Sequence, residues 1–255
     1  MKRQAIVLNV SAALFALGLL AIWQALAEMR VISPVFFPAP SRAISELVER
    51  LADGSAYPPI LATCTRMLFG WLCASILGVV LGAVIGSSRI GRDYLEPMLE
   101  FVRPLPASAI IPVAILFLGL TNQMSVAVIA FGAIWPVLLS SVYGFSSIQG
   151  RLQEVSAVLG LSRIEYLRKI AIPSAMPDIL SGIRVSLAIS LILAVVTEMQ
   201  ASLPGIGRDI FMAQRSFRSV DLYGGLIVLG VIGFTVNYAL VAFEKRVLRW
   251  RNPYS

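Results

Sequence analysis

Few side chains in this chain of 255 residues could take part in covalent chemistry. There is no histidine, the side chain most often used as a general base and as a zinc ligand. The two cysteines, Cys64 and Cys73, lie within one apolar run, so the sequence supports neither a disulfide framework nor a metal cage. No apolar run carries the paired carboxylates that acid–base catalysis inside a membrane would need. We therefore expect a protein that is not an enzyme and that binds no cofactor or metal itself.

Three charged residues are instead placed where they could contact a solute. Glu198 lies near one end of an apolar run. A carboxylate at the bilayer centre costs about 2.5–3.5 kcal/mol, so we expect it to face protein or water, with a position among the headgroups as the open alternative. Arg103 and Arg184 lie at the opposite membrane boundary, where they either reach lipid phosphates or guide an anion. These three residues are the candidates for a translocation pathway.

The composition places the chain in a membrane. Hydrophobic residues make up 58% of the chain, charged residues make up 14%, and the mean hydropathy is +0.83. Soluble domains carry about 25% charged residues, so a water-soluble fold is excluded and an all-α membrane protein is expected. The net charge is +7, but the basic residues cluster between apolar runs rather than along one face. This pattern argues against a nucleic-acid partner and favours contact with membrane lipid.

Six apolar runs are long enough to cross the bilayer as helices, which takes about 20 residues each. The uncharged stretch from 104 to 150 is too long for one helix, and its polar triplet Thr121-Asn122-Gln123 predicts a simple turn between two. The predicted spans are 6–26, 67–87, 104–120, 124–145, 179–201 and 222–243. The first span is flanked like a signal peptide, but its apolar run exceeds the about 7–15 residues of such a signal, so we expect an uncleaved anchor.

The basic residues also predict the orientation. With the N-terminus inside the cell, about two thirds of the 21 lysines and arginines lie on the inner side, as the positive-inside rule requires. Six spans then return the C-terminus to the cytoplasm. Residues 1–60 would hold the first helix and an external amphipathic helix, 61–245 a five-helix core with a cytoplasmic loop at 146–178, and 246–255 a cytoplasmic tail.

Two segments predicted on the outer side and one face of the second span also have informative sequence patterns. Residues 41–53 place apolar side chains at helical spacing, which predicts an amphipathic helix at the outer interface or on its own bundle. Residues 202–220 contain Pro204-Gly205-Ile206-Gly207 and form either a mouth or docking surface, or a plain connecting loop. Glycines recur every four residues in the second span and permit close helix contact. They are Gly78, Gly82 and Gly86.

The cytoplasmic loop has the pattern of two short helices. Its apolar stripe at helical spacing is formed by Leu152, Val155, Val158 and Leu159. Gly160 then stands where a helix would end, because glycine takes the left-handed conformation without steric cost. Ser162-Arg163-Ile164-Glu165 fits a capping box that starts a second helix, which Pro173 is expected to stop before Pro177 leads into the fifth span. The stripe lies either against the membrane or the bundle's own inner ends, or in a groove on a cytoplasmic partner.

This loop resembles the signature of ABC-importer permeases, which is a Glu-Ala-Ala triplet, a glycine four positions after its last alanine, and then Ile-x-Leu-Pro. The corresponding segments here are Glu154-Val155-Ser156, Gly160 and Ile170-Ala171-Ile172-Pro173. The glutamate, the glycine and the final proline keep the spacing, whereas Val155, Ser156 and Ile172 replace two alanines and a leucine. The helix packing of the triplet therefore differs in detail, but the corner is intact.

Other segments are similar to the permeases of the taurine, alkanesulfonate, nitrate and bicarbonate importers. Residues 101–112, FVRPLPASAIIP, resemble the RPxPxxAxxP segment of that group. Further matches are Pro173-Ser174-Ala175-Met176-Pro177, Gly182-Ile183-Arg184, Glu198-Met199, Gly205-Ile206-Gly207 and Arg249-Trp250. The resemblance runs from about residue 34 to residue 250.

The resemblance implies a type I ABC-importer permease fold in the bacterial inner membrane. It also implies an assembly of two permease subunits, two cytoplasmic ATPases and an external solute-binding protein. The chain has no Gly-x-x-x-x-Gly-Lys-Ser/Thr phosphate loop, so ATP and Mg²⁺ are expected on the partner ATPase. One set of spans per chain makes a homodimer the simplest expectation. The residues implied in ATPase coupling are Leu152, Glu154, Val155, Ser156, Leu159, Gly160, Ile170 and Pro173.

The cargo implied by the family is a small solute, with an oxyanion such as taurine or another sulfonate, nitrate or bicarbonate as the expected one. A vitamin precursor or an aromatic acid is the alternative. A secondary transporter driven by an ion gradient is the rival of another class. It would need coupling charges at the midplane and usually internal repeats, and the sequence shows neither.

Overall fold

A computed structural model describes residues 2–102, 104–148 and 150–249, and every regular element in these ranges is helical. In chain order the helices are α1 (Lys2–Glu28), α2 (Pro40–Ala52), α3 (Tyr57–Gly86), α4 (Arg89–Val102), α5 (Ala107–Leu118), α6 (Asn122–Ser146), α7 (Gly150–Val158), α8 (Arg163–Tyr166), α9 (Ile172–Ala201), α10 (Ile206–Arg215) and α11 (Ser219–Val247). A π-helical turn, Leu167–Ala171, joins α8 to α9. The predicted all-α class is confirmed.

Among the described residues, four helical runs are long and apolar enough to cross a membrane, namely α3, α6, the run from α8 through α9, and α11. The helices α4 and α5 are bent by 87° relative to each other and would together make a fifth span. The stretch Leu14–Glu28 of α1 is a further apolar helix. A multi-pass membrane fold is therefore confirmed, whereas the count of six spans and the cytoplasmic termini stay predictions.

The predicted third span, 104–120, is not one straight membrane-spanning helix. The helix α5 has 12 residues, which rise about 18 Å and cannot cross a hydrocarbon core of about 30 Å. Pro104 and Pro106 explain the bend, because a residue before proline is disfavoured in the helical conformation. Gly119, with a φ of 67°, ends α5 at the other side.

The core of the chain is the packed trio of α3, α6 and α9. A Cβ added to Gly82 of α3 would lie 2.3 Å from the Cβ of Ser141 on α6, and one added to Gly78 would lie 2.8 Å from the Cβ of Val137. A Cβ on Gly182 of α9 would lie 2.6 Å from the carbonyl oxygen of Pro136. Small residues thus let the three backbones approach closely, and the packing role predicted for the α3 glycines is confirmed.

An outer layer is formed by α2 and α10 against α11. The predicted amphipathic helix at 41–53 is confirmed as α2, which buries Ala43 against the bundle and leaves Ile44 and Val48 exposed. Arg50 Nη2 on α2 lies 3.1 Å from Asp209 Oδ2 on α10. The burial of Ala43 and the ion pair between Arg50 and Asp209 hold α2 on the protein's own bundle.

The segment 202–220 contains the helix α10, so the interpretation as a plain loop is wrong. Ile206, Ile210 and Ala213 are buried, and they recur at the spacing of one helix face. This apolar face packs against α9 and α11. The exposed face of α10 carries Arg208 and Arg215.

Candidate functional site

The segment 150–171, called the arm below, contains α7, the corner at Gly160, α8 and the π-helical turn. The helix α7 ends in a Schellman motif, in which the N–H of Leu161 donates to the Ser156 carbonyl at 3.0 Å and the N–H of Gly160 donates to the Ala157 carbonyl at 3.1 Å. Gly160 has a φ of 65°, which only glycine adopts without strain. The predicted helix end at Gly160 is confirmed.

The second helix of the arm begins at the predicted capping box. The N–H of Glu165 donates to Ser162 Oγ at 3.3 Å, and the N–H of Ser162 donates to Glu165 Oε2 at 3.1 Å. Lys169 Nζ also lies 2.9 Å from Glu165 Oε1. Two backbone donors that a helix start would leave free are thereby satisfied, and the orientation of α8 after the corner is fixed.

The prediction that Pro173 stops the second helix is wrong. A helical run continues from Arg163 to Ala201. Proline lacks an N–H, and within an α-helix its ring clashes with the carbonyl four residues earlier. Here the π-helical turn precedes Pro173, and the N–H of Ile172 donates to the carbonyl of Leu167, five residues earlier. This wider turn accommodates the proline, so the arm is continuous with the spanning helix α9.

The apolar stripe of the arm is not covered by the rest of the described chain. The exposed fraction is 49% for Val155, 88% for Val158 and 65% for Leu159, and Leu152 is exposed as well. The interpretation in which the stripe packs on the inner ends of its own bundle is therefore wrong. Two interpretations of the stripe remain, namely contact with the membrane and contact with a cytoplasmic partner.

The other residues implied in ATPase coupling lie along the same arm or at its junction with α9. Glu154 is exposed, whereas Ser156, Ile170 and Pro173 are half-buried. The arm is attached to the bundle at Ala171, which is buried in a cluster whose other buried members are Phe145, Ala175 and Ile179. The structure thus places the implied residues together, and their role in coupling stays a prediction.

Among the pathway candidates, Glu198 is fully buried inside the chain. Arg66 Nη1 donates to Glu198 Oε1 at 2.6 Å, and the N–H of Gly207 donates to Glu198 Oε2 at 2.9 Å. The hydroxyl of Thr63 lies 3.0 Å from the same Oε2. The carboxylate therefore faces protein, as the sequence suggested, and its depth relative to the headgroups stays a prediction.

Arg66 is the residue of this buried site that sequence reasoning missed. The sequence places it outside the second span, but α3 begins at Tyr57, so Arg66 lies more than two turns inside the helix. Proline favours the first turn of a helix, and Pro58 and Pro59 were the signal that could have located this start. Besides Glu198, Arg66 binds the Oδ1 of Asn122 at 2.8 Å and the carbonyl of Pro204 at 2.6 Å.

These groups form one polar cluster, defined by the side chains of Thr63, Arg66, Asn122 and Glu198 and the backbone of 204–207. The predicted turn at 121–123 is correct only at Thr121, whose Oγ1 accepts from the N–H of Met124 and caps α6, because Asn122 and Gln123 already belong to α6. Asn122 adds a contact that the sequence did not predict. The polar cluster therefore joins α3, α6, α9 and the start of α10.

The two arginine candidates are placed differently. Arg184 donates to Glu244 of α11 and is partly exposed. Arg103 lies outside the described residues. A role of either in guiding an anion stays a prediction.

The chemistry of the polar cluster is that of a compensated ion pair. Its donors and acceptors bond each other, which satisfies the requirement that polar groups at membrane depth find partners within the protein. In the part of the chain that the structure describes, no group of three or more His, Cys, Asp or Glu side chains could hold a metal ion. The cluster is suited to holding helices together.

Comparison with known sequences places the chain in a family. Residues 74–251 match the family described as "binding-protein-dependent transport system inner membrane component". The chain is 30% identical to the putative aliphatic sulfonates transport permease protein SsuC of Bacillus subtilis, over 92% of this chain and 86% of that protein. It is 28% identical to the taurine transport system permease protein TauC of Escherichia coli, over 91% and 86%. It is 31% identical to the nitrate import permease protein NrtB of Synechocystis, over 74% and 69%.

Solved structures show the same fold. An inward-facing structure of the MetNI methionine ABC transporter matches with a TM-score of 0.64 and 15% identity, over 73% of this chain and 93% of the other. A crystal structure of an amino acid ABC transporter matches with a TM-score of 0.61 and 13% identity, over 80% and 98%. The chain therefore belongs to the family of binding-protein-dependent transport system inner membrane components, and it is a multi-pass ABC-importer permease of the bacterial plasma membrane.

Proposed function

We propose that this permease imports a small oxyanion and that a separate ATPase drives it through the arm. The observation that carries the proposal is the uncovered apolar stripe of α7. An exposed apolar patch beside charged residues is typical of a docking surface, and a short amphipathic helix fits a groove on a partner. Leu152, Val155 and Leu159 would fill that groove, while Glu154 would contact a basic residue of the ATPase.

The path of the motion follows from the connections of the arm. The helix α7 follows α6, and α8 continues into α9, so both ends of the arm are joined to helices of the packed core. ATP binding would bring two ATPases together and move the arms with them. That movement would open the permease pair towards the outside, and hydrolysis would reverse it.

The assembly proposed is a homodimer of this chain with two ATPases and an external solute-binding protein. The support is the single set of spans and the family, whose description names a binding protein. ATP and Mg²⁺ would be held by the ATPase, since the sequence has no phosphate loop and its only lysines are Lys2, Lys169 and Lys245.

The proposed cargo is an oxyanion such as a sulfonate, taurine, nitrate or bicarbonate. The support is the set of relatives, whose names specify aliphatic sulfonates, taurine and nitrate. The exposed arginines of the outer surface, among them Arg208, Arg215 and Arg218, are compatible with an anion. A vitamin precursor or an aromatic acid is the alternative cargo.

The test compares two glycines with positive φ in the complete complex in liposomes. Gly160→Val strains the corner of the arm, where the added side chain would meet no neighbour. Gly54→Val is the matched control, because Gly54 has a φ of 84° and also has open space, with its nearest neighbour atom at 4.0 Å, but lies far from the arm in the sequence, just after α2. Uptake of taurine, an alkanesulfonate and nitrate is measured together with ATP hydrolysis.

We expect Gly160→Val to keep ATP hydrolysis and lose uptake, and Gly54→Val to keep both. Normal uptake by Gly160→Val, or equal loss in the control, would contradict coupling through the arm. Uptake by the permease alone, driven by an ion gradient without any ATPase, would contradict the proposed class of transport. Uptake of none of the three anions would contradict the proposed cargo.

A further inference from the structure

The outer end of α9 is attached to α10 by charged groups and not by apolar packing alone. The Glu198 carboxylate accepts from the N–H of Gly207 in the first turn of α10, at 2.9 Å. Arg66 donates to the carbonyl of Pro204 in the connection between the two helices, at 2.6 Å. The hydroxyl of Thr63 accepts from the N–H of Ile206 at 3.0 Å. The connection 204–207 is therefore hydrogen-bonded at three of its four residues, Pro204, Ile206 and Gly207.

The same connection has no room to shift. A Cβ added to Gly205 would lie 2.3 Å from the carboxylate carbon of Glu198. A Cβ added to Gly207 would lie 2.4 Å from the backbone carbonyl oxygen of Val195 on α9. The start of α10 is thus in direct backbone contact with α9, and any rotation of α10 would break the hydrogen bonds of the polar cluster.

Joining two membrane helices through a buried ion pair costs free energy. Charged side chains are costly within a membrane, and apolar residues of similar volume often stabilise a protein as well as a buried ion pair does. The ion pair instead constrains the geometry of the contact, since the planar guanidinium of Arg66 binds three partners at fixed angles. It therefore fixes the register of α10 on α9.

The helix that ends at the polar cluster begins in the arm. The run from Arg163 to Ala201 has 39 residues and is unbroken apart from the π-helical turn. We propose that Arg66 and Glu198 are positioning residues that make α9 and α10 one rigid body, so that displacement of the arm is delivered to the outer surface that α10 forms. The claim that an ATPase displaces the arm rests on the proposed function, whereas the rigid connection between α9 and α10 does not.

The test measures a distance inside the permease within the complete complex. Spin labels are attached at Ser181 on α9 and Gln214 on α10, which are both exposed, after replacement of Cys64 and Cys73. In the wild-type background we expect a narrow distribution that changes by less than about 2 Å, the scale of small helix shifts, when ATP and Mg²⁺ are added. A third label at Arg168, an exposed residue of the arm outside the apolar stripe, reports whether the arm itself responds to ATP.

Three variants examine the connection. Glu198→Gln keeps the shape but removes the ion pair, and it should broaden the distribution. Arg66→Lys keeps the charge but cannot reach Asn122, Glu198 and Pro204 together, so it should broaden the distribution less. Arg50→Gln is the control, because it removes a half-exposed ion pair that also ends on α10, and it should leave the distribution narrow.

A functional readout separates positioning from a merely structural role. In Glu198→Gln, uptake of taurine, an alkanesulfonate or nitrate per ATP hydrolysed should fall by roughly tenfold, the scale of coupling between distant sites, while hydrolysis continues. Arg66→Lys should recover part of that loss. If neither single variant folds, the double variant Arg66→Met with Glu198→Leu leaves no unpaired charge and should show the same uncoupling.

Two outcomes would overturn the inference. One is a wild-type distance between α9 and α10 that changes clearly with ATP. The other is a broadened distribution with an unchanged ratio of uptake to hydrolysis. Failure of the proposed function has a different signature, because the label at Arg168 would then not respond to the ATPase and ATP at all.

Discussion

The two ends of α9 invert the usual relation between polarity and burial. At the end next to α10, which is the outer end in the predicted orientation, the charged side chains of Arg66 and Glu198 are buried and bonded to each other. At the inner end the apolar side chains of Val155, Val158 and Leu159 are exposed. In a membrane protein, buried charges must be satisfied within the chain, whereas exposed apolar groups need lipid or a partner to cover them. The outer end is thus complete by itself, and the inner end is not.

Glycine serves a different purpose at each end. Gly160 is needed for its positive φ, and a Cβ there would meet nothing within 4 Å. Gly207 has no such φ but has no space, because the backbone of α9 lies against it. A side chain at Gly207 should therefore lower stability, while a side chain at Gly160 should affect coupling.

The largest loss of stability is expected from Arg66→Met, which leaves Glu198 buried without its partner. Removing one member of a buried ion pair destabilises by about 3–5 kcal/mol. Thermal unfolding of the purified permease in detergent measures the loss. The double variant Arg66→Met with Glu198→Leu should regain most of it. If Arg66→Met alone were as stable as the wild type, the distinction between the two ends of α9 would be contradicted.

A smaller loss is expected from Gly207→Ala, which forces α10 away from the Val195 carbonyl. Overpacking of this kind costs about 1–3 kcal/mol. The matched control is Gly230→Ala on α11, where a Cβ would meet nothing within 4 Å and should leave the protein as stable or slightly more so. Equal unfolding midpoints for both variants would show that the close contact at Gly207 does not matter.

A local effect of about 1 kcal/mol is expected from Ser162→Ala, which removes the cap of α8. Hydrogen exchange should speed up at the amides of the arm near Glu165 and not in α3 or α6, because the capping box makes its contacts within the arm. Ser174→Ala, on an exposed position of α9, should leave exchange unchanged. Faster exchange throughout the bundle would contradict the local role.

The smallest effect on stability is expected from Val158→Asp, whose side chain is 88% exposed. Surface substitutions usually stay within about 0.5 kcal/mol, so the unfolding midpoint should not move. Co-purification of the ATPase should nevertheless be lost, because the charge enters the apolar stripe. Met212→Asp on α10 is the control and should retain the ATPase. Retention by both variants would remove the arm as the docking surface.

The arm shows which features could be predicted from neighbouring residues. The corner at Gly160 and the cap formed by Ser162 and Glu165 depend on backbone groups within a few positions, and both were predicted correctly. The effect of Pro173 was not, because it depends on a wider turn formed just before it. The rule that proline breaks an α-helix assumes backbone hydrogen bonds to the carbonyl four residues earlier. It does not apply where these bonds reach five residues back.

The outer end shows what neighbouring residues could not predict. Glu198 was identified as a costly charge that should face protein or water, but its partner Arg66 is 132 positions away and was placed outside the membrane. Nothing local marks the two as a pair. They meet because the small residues of α3 let α6 and α9 pack closely, and because α10 folds back over the end of α9.

The sequence by itself determined the membrane class, four of the spans and the two-helix form of the arm, because hydropathy and capping act over a few turns of one helix. Only the tertiary structure decided that the arm continues into α9 and that a buried ion pair fastens α10 to the other end. Those two features depend on which backbones and side chains meet in space, and that is set by the packing of helices that lie far apart along the chain.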